Sequence, residues 1–159
     1  MTAGERTATS PLLAFLAATT GARAVVEVGT GSGRTGLALL GGMRADGALT
    51  TIDVDPELQR AARRTFLDAG HAPGRLRLIN GLALEVLPRL TDGGYDLVVV
   101  HAHEGDPAAY LAEALRLLRP GGVVVLADPG QVVPDEEEQL VSAVVEGVLV
   151  ATRVRDRSA

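Results

Sequence analysis

Cysteine is absent from the 159 residues, which excludes disulfides, thiolate metal ligands and a cysteine nucleophile. Lysine is absent too, since all 15 basic residues are arginine. That excludes a Walker-type phosphate loop, Schiff-base chemistry and a lysine general base. Tryptophan is missing and aromatics make up only 3% of the chain, so a core must be built from Val, Leu and Ala. Asn80 is the single asparagine. No apolar run approaches the ~20 residues that a membrane span needs. The N-terminus has no apolar core behind a basic flank, so a cytoplasmic protein is expected. A net charge of −5 argues against a nucleic-acid or anionic membrane surface. What is present suffices for one domain: 47% hydrophobic and 22% charged residues, with 19 glycines to serve special backbone positions.

Short β-branched runs alternate with helical patterns. Candidate strands are Ala24–Gly29, Leu49–Val54, Arg75–Asn80, Asp96–His101 and Val123–Asp128. Each is nearly continuous in apolar residues, which suits strands buried on both faces of a parallel sheet. Helices are expected near Ser10–Thr19, Arg34–Met43, Pro56–Ala69, Leu82–Leu90 and Pro107–Leu118. The alternation predicts an α/β fold, a doubly wound and mostly parallel sheet in a single domain over residues 1–159. Asp55-Pro56 and Asp106-Pro107 each read as an N-cap followed by proline at the first helical position. Asp92-Gly93-Gly94 reads as a turn, and Pro120-Gly121-Gly122 as a helix end leading into a strand. Towards the C-terminus, the acids Asp135–Glu138 behind Pro134, the face Leu140, Val141, Val144 and Val145, and Gly147 as a cap favour a helix. Val148–Val154 would then be a final strand. A hairpin pairing Leu140–Val145 with Val148–Val154 across Glu146-Gly147 is the alternative.

The most informative segment is VVEVGTGSGRTG, Val25–Gly36. A buried strand runs into a glycine cluster and a helix follows. Glycines permit a tight turn and close approach to a ligand, and the helix start offers free N–H groups. Gly31-x-Gly33-x-x-Gly36 fits a dinucleotide fingerprint, and its place in the first βαβ unit strengthens the match. The second strand ends in Thr51-Ile52-Asp53, about 20 residues on, where an acid can hold both hydroxyls of an adenosine ribose. NAD(P) and S-adenosylmethionine both fit this pattern. Glu27, two residues before the first glycine, suits the cationic amino group and sulfonium of the latter and would repel a pyrophosphate.

With these features the chain resembles the class I S-adenosylmethionine-dependent methyltransferases. More narrowly it is similar to the small bacterial O-methyltransferases related to catechol and caffeoyl-CoA O-methyltransferases. The resemblance runs from about Thr9 to Asp128. It is carried by TSPLL (Thr9–Leu13), VVEVGTGSG (Val25–Gly33), LTTIDVDP (Leu49–Pro56), NGLALEVLPRL (Asn80–Leu90), YDLVVVHAH (Tyr95–His103) and LRLLRPGGVVVLAD (Leu115–Asp128). It implies S-adenosyl-L-methionine as cofactor. Glu27, Gly29, Thr30, Gly31, Ser32 and Gly33 would line the methionine moiety. Thr35 would face the cofactor carboxylate. Asp53 would hold the ribose, with Val54 against the adenine and Gly81, Leu82 and Ala83 along its edge. His101 and Ala102 would close the site.

The departures are as informative. After the fourth strand the family pattern is Asp-Ala-Asp-Lys, where this chain has His101-Ala102-His103-Glu104. The family's metal site also uses an Asp-Asn pair after the fifth strand, here Asp128-Pro129. Proline brings no side-chain oxygen, and magnesium prefers hard oxygen ligands, so no magnesium site is expected. The family's general-base lysine is replaced by Glu104. Glu104 and His103, whose unperturbed pKa is near 6.5, are the candidate catalytic bases. The chain is short for the family at both ends, so a homodimer could complete the site. The resemblance implies O-methylation of a small-molecule hydroxyl without magnesium. A non-catalytic binder of S-adenosylmethionine or S-adenosylhomocysteine is the alternative, and an NAD(P)-dependent oxidoreductase the third reading.

Overall fold

The structure, a computed structural model, describes residues 3–101, 105–132 and 140–154, with side chains from residue 9 onward. In chain order the elements are α1 (Ala3–Thr19), β1 (Ala24–Val28), α2 (Arg34–Gly42), β2 (Ala48–Asp53), α3 (Pro56–Asp68) and β3 (Leu76–Asn80). There follow α4 (Ala83–Val86), β4 (Tyr95–Val100), α5 (Pro107–Leu117), β5 (Leu118–Leu126), β6 (Leu140–Val145) and β7 (Val148–Arg153). The strands form one sheet in the order β3-β2-β1-β4-β5-β7-β6. β1 to β5 run parallel, β7 lies antiparallel against β5, and β6 antiparallel against β7.

Side chains alternate between the two faces of this sheet, and helices cover both. Val25, Leu49, Leu97, Val99 and Val125 pack with Leu13, Leu39 and Phe66 from α1, α2 and α3. Val26, Val28, Val98, Val100 and Leu126 pack with Leu87, Tyr110, Leu111 and Leu115 on the other side. That double covering is why β1 and β4 read as nearly continuous apolar runs. Both proposed caps form. Asp55 accepts from the backbone N–H of Glu57 at 2.9 Å, and Asp106 from that of Ala108 at 3.0 Å.

Three expectations need correction. The helix expected over Leu82–Leu90 is a single α-turn, Ala83–Val86, followed by a 3-10 turn at Leu87–Arg89. Pro88 has no N–H to continue an α-helix there. β5 does not begin at Val123. It starts at Leu118 opposite Tyr95, and the register then jumps to Val123 opposite Leu97, so Pro120-Gly121-Gly122 forms an irregularity within the strand. The favoured C-terminal helix is replaced by the hairpin over Leu140–Val145, since β6 pairs with β7 from Leu140↔Arg153 to Val145↔Val148. Glu146 and Gly147, at φ 51° and 81°, make its two-residue turn. The acids Asp135–Glu138 lie outside the described residues. Among the described residues no helix is long and apolar enough to cross a membrane.

Candidate functional site

β1 sends the chain towards β2 on one side of the sheet, and β4 sends it towards β5 on the other. The crevice at the carboxyl ends of these neighbours is the switch point where open α/β sheets bind ligands. The glycine loop occupies it. Gly29, Gly31 and Gly33 have φ values of 93°, 54° and 92°, which side chains rarely tolerate. The loop is anchored on both sides. The N–H of Gly29 donates to Ile52 O at 2.8 Å, and that of Gly31 to Asp53 Oδ2 at 3.1 Å. On the other side the N–H of His101 donates to Val28 O at 2.9 Å. A Cβ on Gly29 would stand 3.2 Å from that of His101, so only glycine lets the two strand ends approach this closely.

Glu27 lies beneath the loop with no exposed surface. Thr35, at the start of α2, donates its hydroxyl to Oε2 at 2.6 Å. Thr51, the register partner of Glu27 on β2, donates to Oε1 at 2.8 Å. The hydroxyls of Thr51 and Thr30 meet at 2.7 Å. These hydrogen bonds are what a buried carboxylate requires. Thr35 was expected to face the cofactor carboxylate; its hydroxyl instead holds Glu27. His101 Nε2 lies 3.4 Å from Glu27 Oε2, its side chain 11% exposed. Neither ring nitrogen has a hydrogen-bond partner among the described residues.

Asp53 caps the end of β2. Its Oδ1 accepts from the N–H of Asp55 at 2.9 Å while Oδ2 accepts from Gly31, leaving lone pairs on both oxygens for further donors. Beside it, Val54 and Leu82 are exposed apolar side chains, one after β2 and one after β3. Asn80 fastens these two loops, its amide donating to Asp53 O and Val54 O, each at 3.1 Å. Gly81 adds a backbone N–H to Asp53 O at 3.0 Å, and Ala83 opens α4 next door. Ser32 is exposed at the loop tip. Glu27, the glycines, Asp53, Val54, Gly81 and Leu82 therefore lie along one run of strand ends. Ala102, His103 and Glu104 lie outside the described residues, so the two catalytic candidates have no geometry here.

The sequence reading missed Thr51 and Asn80 as site-builders. A polar pair, Thr50-Thr51, inside an apolar strand was the available signal for the first. A second cavity, about 160 Å³, opens past β4 and β5 and is bounded by Val100, Tyr110, Leu126 and Asp128. At the family's metal positions the donors are one imidazole, His101, and one carboxylate, Asp128, with Pro129 adding none. This set does not fit magnesium.

Fold and crevice together form an α/β domain with an acid under the glycine loop, the arrangement of methyltransferases rather than of pyrophosphate binders. The sequence pattern of the O-methyltransferase family matches residues 2–151, and the chain belongs to that family. A curated relative from Mycolicibacterium vanbaalenii is 59% identical over 119 residues, 75% of this chain and 53% of its own length. The chain thus spans about half the length of that relative. A crystal structure of a Corynebacterium glutamicum protein superimposes with a TM-score of 0.83 at 30% identity, covering 96% of this chain and 83% of that one. The O-methyltransferase TomG of Streptomyces achromogenes, solved in complex with S-adenosylmethionine, superimposes with a TM-score of 0.75 at 27% identity, covering 93% and 80% respectively.

Proposed function

We propose that this chain binds S-adenosylmethionine across the carboxyl ends of β1, β2 and β3 and transfers its methyl group to a small-molecule hydroxyl without magnesium. The observation that carries the reading is Glu27, wholly buried under a three-glycine loop with both carboxylate oxygens accepting hydrogen bonds. Negative charge there attracts the amino group and sulfonium of the cofactor and opposes a phosphate. Asp53 takes the ribose hydroxyls, and the exposed Val54 and Leu82 offer the adenine apolar surface. Family membership and the S-adenosylmethionine bound to TomG support the same cofactor.

Methyl transfer forms one O–C bond as one S–C bond breaks, and the acceptor proton passes to a base. The sulfonium is already activated, so the protein's main task is alignment. The cavity beside Val100, Tyr110 and Leu126 is the proposed acceptor site. His103 and Glu104 are the proposed proton acceptors. A chain with no lysine and with Pro129 after Asp128 also supports a second reading, a binder of S-adenosylmethionine or S-adenosylhomocysteine without turnover.

The test is incubation with methyl-labelled S-adenosylmethionine and a panel of phenols, with magnesium or with EDTA. Labelled methyl ether in both conditions is the expected result. Product with magnesium alone would overturn the metal-independent step. Cofactor binding with no product from any acceptor would favour the binder.

A further inference from the structure

The buried hydroxyls around Glu27 are more than packing. A carboxylate only accepts hydrogen bonds, so the single proton of Thr51 Oγ1 is committed to Glu27 Oε1 at 2.8 Å. Thr51 can then only accept from Thr30, whose hydroxyl lies 2.7 Å away. The proton order is fixed as Thr30 to Thr51 to Glu27 on one side, and Thr35 to Glu27 on the other. Thr30 sits between Gly29 and Gly31, Thr51 lies on β2, and Thr35 opens α2. Thr30 and Thr51 are each 1% exposed. The chain of hydroxyls therefore links the three elements that build the cofactor cradle to one negative charge.

We propose that Thr51 is a positioning residue, which together with Thr35 fixes the Glu27 carboxylate so that the site selects adenosyl ligands carrying a cationic amino-acid tail. The inference rests on the cofactor reading above. Each oxygen is pinned by one hydroxyl, so the carboxylate cannot rotate away, and its remaining lone pairs keep a fixed direction. Removing one donor leaves a buried acceptor unsatisfied and frees the group to turn. A ligand without the amino-acid tail gains nothing from Glu27 and would not notice the change.

The test compares S-adenosylhomocysteine, which keeps the ammonium, with 5′-methylthioadenosine, which lacks it. Thr51→Val, close to isosteric, is expected to weaken S-adenosylhomocysteine about tenfold or more. It should leave 5′-methylthioadenosine within about twofold, and Thr51→Ser should restore the first. Thr35→Val acts on the other oxygen and should show the same selectivity, which covers a Thr51→Val protein that does not fold. Asp53→Ala should weaken both ligands, because both carry the ribose. Equal losses of both ligands in the threonine variants, no loss in either, or no rescue by serine would overturn the inference while leaving the cofactor reading intact. A wild-type protein that binds neither nucleoside would reject the cofactor reading, and this inference with it.

Discussion

A Cβ placed on Gly36 would stand 2.6 Å from Cζ of Phe66, a ring with no exposed surface. α2 and α3 therefore meet at glycine, and this contact sets the height of the helix whose first turn carries Thr35. Gly36→Ala should cost about 1–3 kcal/mol through overpacking. In the same helix, Gly41 has nothing within 4 Å of a built Cβ. Gly41→Ala should be neutral or stabilising by up to about 1 kcal/mol, through helix propensity alone. Urea denaturation of both variants checks the contrast.

Asp96 ties the opposite end of the sheet. Its Oδ2 accepts from the N–H groups of Arg23 at 2.7 Å and Ala24 at 3.0 Å, and its Oδ1 from Arg119 Nε at 2.8 Å. The carboxylate is largely buried, so Asp96→Ala strands donors away from water. A loss of about 3 kcal/mol in unfolding free energy is expected. Nucleoside affinity should not change, because the glycine-loop crevice proposed to bind it lies at the other end of the strands.

His71 is held below its usual titration range, first by burial and second by the cation of Arg75, whose Nη1 lies 3.1 Å from Nδ1. The folded protein keeps this imidazole neutral where the unfolded chain already takes up a proton. Stability from this group is complete above the ordinary histidine range near 6.5 and is lost as pH falls below it. His71→Gln should flatten that part of the pH–stability curve relative to wild type. Thermal melts between pH 7.5 and 5 measure the difference and cancel the other histidines.

Glu146 is the only non-glycine residue with positive φ among the described residues, at 51°, followed by Gly147 at 81°. A type I′ hairpin turn demands positive φ at both positions and favours Asn-Gly. Glu146→Asn should therefore raise stability by about 0.5–1 kcal/mol. No change would count against the turn.

That turn also explains where the sequence misled. A glycine after apolar residues serves as a helix cap or as the second residue of a hairpin turn, and both need positive φ. β6 forms the sheet edge and leaves Val141, Val144 and Val145 exposed, so it lacks the buried-strand pattern that made β1 and β4 easy to read. Its valines instead fell on a helical spacing. Pro88 was a visible local stop for α4, whereas the effect of the glycine pair at Gly121-Gly122 on β5 depends on its register with β4.

The crevice around the glycine loop was legible for a different reason. Positive-φ glycines after a buried strand, an acid before them and an acid ending the next strand are local signals. The threonine chain was not, because Glu27 and Thr51 become neighbours only through the parallel register of β1 and β2. The direction of the Thr35 hydroxyl was hidden in the same way, since it depends on how α2 sits above β1.

An anionic crevice built by Glu27 and Asp53 is proposed to take S-adenosylmethionine. The most direct test is calorimetric titration of the purified chain with S-adenosylmethionine, S-adenosylhomocysteine and NAD, for wild type, Glu27→Gln and Asp53→Ala. Micromolar binding of both sulfur nucleosides to the wild type, at least about tenfold weaker in each variant, and no binding of NAD are expected. Binding of NAD in preference to both, or sulfur-nucleoside binding untouched by either substitution, would contradict the proposal.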